Sequence, residues 1–388
     1  MNKKKIGLIT IHRANNYGAF LQAFATQETL KKYGNVEIID YRNRKLESSF
    51  DLIRLNTLSF KGLLGAVKDI LRLIPRYSVI KKFKNDIEHR YQLSPSLSRN
   101  SLSDYVNNNC DILVSGSDQI WNPVCVSEDN DLNSVYFLNF GNEEIKRISY
   151  ASSMGAYKLT QENIPLVSEY LKKYDFISVR EKETNKNIEN LLNIKSTHVL
   201  DPTLLLRSNE WLNHFPNKTQ RVTKLINKKY ILFYSVPKTK QTRIVLNYFA
   251  KITGLEVISI DQDIYPYYSA NTKIRDASIS EFIHLFNNAH YVITDSFHGV
   301  CFSLIFRKNF YAISPGELSN RLISLLDLIS LSNRLIQDTL ILEKNGITNI
   351  NYDAIEENIN LAISNSKTYL DLALCQSGTK PIPKLLIK

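Results

Sequence analysis

The sequence predicts an α/β chain of two Rossmann-like halves facing a cleft, and three observations predict it. Short β-branched apolar runs recur along the chain, each followed by a stretch with helical spacing. The alternation closes near Asp201-Pro202, passes through the polar segment Trp211–Lys229 with its Pro216, and resumes at Tyr230. At 388 residues the chain also exceeds the size at which one core stops growing. The expected domains are therefore 1–206 and 207–388.

In the first half, Ile6 to Ile11 is apolar throughout, as a strand covered on both faces must be. Asn15-Asn16 can cap a helix in which Tyr17, Phe20, Leu21 and Phe24 recur at helical spacing up to Tyr33-Gly34. Val36 to Tyr41 completes a βαβ unit. The basic, aromatic stretch from about 45 to 92 breaks the alternation and is expected to be a helical insertion. Strands return at Cys110–Ser115, Arg147–Ser152, Asp175–Arg180 and His198–Asp201. In the second half, strands are expected at Tyr230–Val236, Leu255–Ile260, Tyr291–Thr294 and Phe310–Ser314. Helices fall near Thr239–Thr253, Ser280–Asn288, Val300–Arg307 and Arg321–Leu328. A final helix, about Tyr352 to Leu374, is expected to pack back on the first half.

Hydrophobic content of 43% with 22% charged residues is ordinary for a globular protein with two full cores. Forty-nine Lys and Arg against 38 Asp and Glu give a net charge of +11, which suits an anionic partner. The charge is densest from Lys61 to Arg90. Two readings of that stretch stay open: a solvated helix face, or contact with a lipid-linked or polyanionic acceptor at a membrane. It carries no nucleic-acid-binding motif, so nucleic acid is not an expected partner. Four cysteines lie far apart without a C-x-x-C pair, consistent with buried free thiols. Seven histidines show no metal-ligand spacing, so no metal or cofactor is expected. The apolar run after the N-terminal lysines is too short for a signal or a membrane span, so a cytoplasmic location is expected.

Three constellations carry chemistry. Tyr291-Val292-Ile293-Thr294-Asp295-Ser296-Phe297-His298-Gly299 is a strand feeding a helix through a tight turn, with a histidine where an anion would meet the helix start. Gly116-Ser117-Asp118-Gln119-Ile120-Trp121-Asn122 ends a strand in a carboxylate, an amide and an indole, a set suited to sugar hydroxyls and C–H faces. Arg180 closes a third strand before an acidic first turn, and its fork matches a carboxylate or phosphate. Each has a plainer alternative: a capping histidine, an Asx turn with Trp121 in the core, and a surface pairing of Arg180 with Glu181 or Glu183. G-x-G-x-x-G and G-x-x-x-x-G-K-[ST] are both absent, which argues against NAD and P-loop chemistry.

Six motifs appear in order: Asn16-Tyr17-Gly18-Ala19-x-Leu21-Gln22-Ala23, Gly116-Ser117-Asp118-Gln119-x-Trp121-Asn122, Ser149-Tyr150-Ala151-x-Ser153-x-Gly155, Ser178-Val179-Arg180-Glu181, Asp201-Pro202-Thr203-x-Leu205 and Asp295-Ser296-Phe297-His298-Gly299. Together they resemble the polysaccharide pyruvyl transferase family across roughly residues 4 to 335. The resemblance implies a glycosyltransferase-B-like fold, phosphoenolpyruvate as donor, and a role in building bacterial surface polysaccharides such as capsule or exopolysaccharide. It maps the family's Arg-Glu element onto Arg180 and its histidine onto His298. Ser296 stands where the family's better-studied branch has a basic residue, which removes one expected phosphate contact. Arg321 is the nearest match to a basic residue about twenty positions after the histidine.

The expected reaction is pyruvyl ketal formation on a sugar or oligosaccharide acceptor, with lipid linkage and peripheral membrane association left open. His298, Arg180 and Asp118 are the expected catalytic residues. Donor contacts are assigned to Arg180, Ser296, His298, Gly299 and Arg321, and acceptor contacts to Asn16, Tyr17, Gly18, Ser117, Gln119 and Trp121. Replacing His298 or Arg180 by Ala is expected to spare the fold. The alternatives are a nucleotide-sugar glycosyltransferase of the same fold and a non-catalytic carbohydrate-binding protein.

Overall fold

A computed structural model describes residues 3–53, 67, 70, 72–263, 268–314, 316 and 320–375. Among them the chain forms two compact units. The first comprises Met1–Glu47, Ile87–Leu205 and Glu357–Lys388, and the second Ser48–Asp86 and Leu206–Glu356.

In the first unit, β1 (Lys5–Ile9), β2 (Asn35–Ile38), β3 (Ile112–Ser115) and β4 (Lys146–Ser149) pair in parallel in the order β2-β1-β3-β4. A short pair, β5 (Ser178–Val179) and β6 (Thr197–His198), adjoins β4 through parallel bridges at Ile148–Phe176 and Ser152–Val179. Residues of β1 and β3 are buried on both faces, as the continuous apolar runs require. Asn16 caps the Tyr17–Leu30 helix by accepting from the Ala19 N–H at 3.2 Å.

The second unit holds a six-stranded parallel sheet in the order β12-β11-β10-β7-β8-β9. Its strands are β7 (Tyr230–Tyr234), β8 (Glu256–Ile260), β9 (Thr272–Ile274), β10 (Tyr291–Thr294), β11 (Asn309–Ile313) and β12 (Leu335–Ile336). The Lys240–Thr253 helix starts at Thr239, which accepts from the Thr242 N–H, and stops at Gly254 in the left-handed region with φ +65°. Phe233, Phe249, Val257, Ile293 and Tyr311 form part of the core of this sheet.

Two segments depart from a single cut at 206/207. Residues 48–86, part of the expected insertion, belong to the second unit. Arg72 pairs with Asp263 at 2.8 Å, and Lys82 and Ser78 both reach Asp276 at 2.8 Å. These partners lie about two hundred residues away, beyond the reach of any local pattern. Lys61 and Lys68 of the basic stretch lie outside the described residues. The final helix, Tyr352–Cys375, joins the first unit from Glu357 onward. There Ser366 Oγ accepts from the Leu200 N–H at 2.9 Å, and Tyr369 Oη donates to the Ser149 carbonyl at 2.7 Å. Cys110 and Cys301 are buried, and all four cysteines are free thiols. No helix among the described residues is long and apolar enough to cross a membrane.

Tyr369→Phe removes a buried donor at the end of β4 without opening a cavity. The expected loss is about 1 kcal/mol of unfolding free energy, read by urea denaturation at unchanged m-value.

Candidate functional site

In an open parallel sheet, loops leaving two neighbouring strands in opposite directions part at a switch point and leave a crevice at the carboxyl ends. In the first unit that point lies between β1 and β3, because the chain leaves β1 for β2 and returns on the other side as β3. In the second unit it lies between β7 and β10, with β8 and β9 on one side and β11 and β12 on the other. The segments that leave these strands carry the motifs.

At the first switch point, Thr10 Oγ1 after β1 donates to the Ser117 carbonyl after β3 at 2.9 Å. Gln22, fully buried on the first helix, donates to Thr10 Oγ1 and to the Ile11 carbonyl, each at 3.0 Å. Gly116 permits this approach: a Cβ there would lie 2.9 Å from both Leu8 Cδ1 and Thr10 Cβ. Behind the loop lies a buried charged network. One Arg180 Nη donates to Asp201 Oδ2 at 2.7 Å, with side-chain exposures of 1% and 0%. The same oxygen accepts from Ser117 Oγ at 2.9 Å, and Asp201 Oδ1 accepts from Thr203 N and Thr203 Oγ1 at 3.0 and 2.7 Å. Glu181 and Asp118 each approach the guanidinium at 3.5 Å. Ser153 and Thr184 hydroxyls donate to the two Glu181 oxygens. Three carboxylates thus surround one cation, and they hold the guanidinium charged well above its ordinary pKa against the opposing effect of burial. Asp118 is the most exposed of the three, and its backbone is left-handed at φ +74°.

At the second switch point, Asp295 ties the two strand ends together. Its Oδ2 accepts from Ser235 Oγ at 2.6 Å and Thr242 Oγ1 at 2.9 Å, and its Oδ1 from the Val236 N–H at 2.8 Å. Burial pushes its pKa up despite these donors. The Phe297–Ile305 helix begins one residue past Ser296, whose Oγ accepts from the Gly299 N–H at 3.4 Å as the N-cap. His298 therefore occupies the first turn, where backbone N–H groups and partial positive charge collect. Gly299 is required there: a Cβ would fall 2.2 Å from Thr294 Oγ1 of β10. The Phe297 and His298 rings meet edge to face at 5.3 Å, and the Arg321 guanidinium stands 5.8 Å from the Phe297 ring centroid.

A model of the polysaccharide pyruvyl transferase family matches residues 16–317, most of the chain. The chain belongs to the polysaccharide pyruvyl transferase family. Among curated proteins, none matches this pyruvyl transferase family member. Two solved structures are similar to it in fold. One is UDP-GlcNAc 2-epimerase from Neisseria meningitidis bound to UDP-GlcNAc, at 12% identity and TM-score 0.50, covering 95% of this chain and 99% of that one. The other is S. aureus MnaA in a co-structure with UDP, at 11% identity and TM-score 0.51, covering 97% and 99%. The fold is thus of glycosyltransferase-B type.

Within this family member the expected site residues divide. Arg180 lies in the first unit and His298 in the second. Arg180 is buried and engaged by carboxylates of its own chain, so clamping a donor anion would require it to leave Asp201. Removing it would strand buried negative charge rather than spare the fold. Trp121 is no sugar platform. It is fully buried, stacks on Phe137 at 5.4 Å and donates its indole N–H to the Tyr136 carbonyl at 3.1 Å. Tyr17 and Gly18 are buried in the first helix turn, whereas Asn16 is exposed and Gln119 half-buried beside Asp118. Ser117 is buried and bonded to Asp201. Ser296 serves as a cap, which a basic side chain in its place could not do.

Three residues at the ends of β1 and β2 escaped the sequence reading. Asp40 Oδ1 meets His12 Nε2 at 3.0 Å, and Arg13 grips both Asp40 oxygens at 2.5 and 2.7 Å. The His12-Arg13 pair directly after a strand was the available signal. Its partner lay just past the end of another strand, 28 residues from His12.

Arg180→Ala leaves Asp201 and Glu181 buried without their cation, at an expected cost of about 3–5 kcal/mol in denaturant unfolding. The Asp40 carboxyl is held well below the usual carboxylate range by hydrogen bonds from His12 and Arg13, which outweigh its burial. A lowered acid pKa stabilises the fold above the unfolded value of about 4 and loses that contribution as pH falls below it. Asp40→Asn should therefore be less stable than the parent at pH 7, with the gap closing as unfolding is measured at successively lower pH below about 4.

Proposed function

We propose that this chain transfers a pyruvyl group from phosphoenolpyruvate to a sugar of a surface polysaccharide or its precursor, forming a pyruvate ketal. The observation that carries the reading is where the Asp295–Gly299 motif falls in a member of this family. It lies at the carboxyl end of β10, with His298 in the first turn of a helix. Phosphoenolpyruvate carries a carboxylate and a phosphate, and both suit that helix start with Arg321 close by. In the first unit, Asp118 together with Asn16 and Gln119 suits neutral hydroxyls, because the surplus of carboxylates around Arg180 disfavours an anion.

The chemistry follows from these two settings. His298 donates a proton to the methylene carbon of phosphoenolpyruvate, leaving an oxocarbenium-like centre at C2. One acceptor hydroxyl adds to C2 and gives up its proton to Asp118. The C2–O bond to phosphate then breaks, phosphate departs with the bonding pair and takes up one of the released protons as hydrogen phosphate, and a second hydroxyl closes the ketal and returns its proton to the His298 imidazole. Arg180 acts as a positioning residue, holding Asp118 and Asp201.

A second reading is transfer from a sugar nucleotide, favoured by the UDP-GlcNAc and UDP carried by the two structural relatives. Thermal shift separates the two: a donor that binds the folded chain raises its melting temperature, and the other does not. His298→Ala should lower phosphate release from phosphoenolpyruvate in the presence of acceptor by about 10²–10³-fold. Asp118→Asn should do so with phosphoenolpyruvate affinity retained. Stabilisation by sugar nucleotides but not by phosphoenolpyruvate, or normal turnover in His298→Ala, would overturn the assignment.

A further inference from the structure

The Leu73–Arg90 helix buries one face and exposes another of unusual composition. Val79, Phe83 and Ile87 are buried, whereas Ile74 is 85% exposed and Tyr77 56%. Ile74, Tyr77, Lys81 and Lys84 follow at three- and four-residue steps and so share the opposite face, which turns from apolar to basic along its length. Lys81 and Lys84 are both exposed. Leu73 at the helix start is exposed, as are Ile53, Val67 and Ile70 before it. Single exposed apolar side chains are ordinary, but a series at helical spacing marks an interaction surface. Residues 54–84 carry eight Lys and Arg against one Asp, a net +7 within the chain's +11. Part of that charge is used internally by Arg72 on Asp263, Lys82 on Asp276 and the buried Arg76 on the Ser49 and Asp51 carbonyls, and Lys84 lies over the Phe50 ring at 5.9 Å while staying exposed.

A partner for this face must offer an apolar interior and a negative surface together. A second copy of the chain would bring like charges against each other, and a nucleic acid would leave Ile74 and Tyr77 without a counterpart. We propose that the face bearing Ile74, Tyr77, Lys81 and Lys84 lies on an anionic lipid bilayer, with the apolar residues at the acyl boundary and the lysines among the headgroups. The inference is independent of the donor.

The test is co-sedimentation of the full chain with phosphatidylcholine vesicles, with and without about one-third phosphatidylglycerol, over a salt series. The expected result is binding to the anionic vesicles that weakens with salt. The double variant Ile74→Glu, Tyr77→Glu and the single variant Lys81→Glu should each bind about tenfold more weakly or worse. All three substituted positions are exposed, so thermal unfolding should match the parent and exclude misfolding as the cause. Absence of binding to anionic vesicles, or equal binding by parent and double variant, overturns the proposal. So does a dimer, seen by light scattering, that Ile74→Glu disperses while vesicles capture neither protein.

Discussion

The first unit is organised around the contact between the Arg180 guanidinium and the Asp201 carboxylate, 2.7 Å apart and closed to water. A buried charge is tolerated only when paired and hydrogen-bonded, and each of these groups has further partners that fix its orientation. Ser117 comes from the end of β3, Arg180 and Glu181 follow β5, Asp201 and Thr203 follow β6, and Ser153 comes from the loop after β4. Four of the ordered motifs are thus parts of one network. That network has three acids for one base, and the surplus emerges at Asp118, whose side chain alone among the three is partly exposed. The first unit therefore offers negative charge and hydroxyl acceptors at its switch point.

The second unit places the opposite character at the equivalent position. Asp295 draws the ends of β7 and β10 together, Ser296 caps the helix, and Gly299 lets that helix start hard against β10. Each residue serves the placement of His298 in the first helical turn, with Arg321 beside the neighbouring Phe297 ring. The proposed reaction, with an anionic donor and a neutral polyol acceptor, calls for such contrasting surroundings.

Charge outside these sites is also unevenly distributed. The stretch between 54 and 84 holds most of the net positive charge, and its described part is attached to the second unit through Asp263 and Asp276. The pairs anchor one side of the Leu73–Arg90 helix, and Ile74, Tyr77, Lys81 and Lys84 on another side are exposed.

Strand and helix assignments were legible because parallel strands covered on both faces must be apolar throughout, and caps such as Asn16, Thr239 and Gly254 act within a few residues. The family was equally legible, as its motifs are local strings in a set order. His298 at a helix start followed from the same local logic. What a side chain points at did not. Trp121 in the core, Arg180 facing its own carboxylates, and the His12–Arg13–Asp40 cluster all depend on partners brought in from other segments of the chain. The attachment of residues 48–86 to the second unit and of residues from Glu357 onward to the first depends on ion pairs and hydrogen bonds spanning more than a hundred residues. The sequence by itself determined most elements, their parallel alternation and the family, since those rest on short-range sterics and periodic burial; the short edge strands β9 and β12 carried too little pattern to be read. Only the tertiary structure decided which charges neutralise each other, because that depends on distances and desolvation no linear pattern contains.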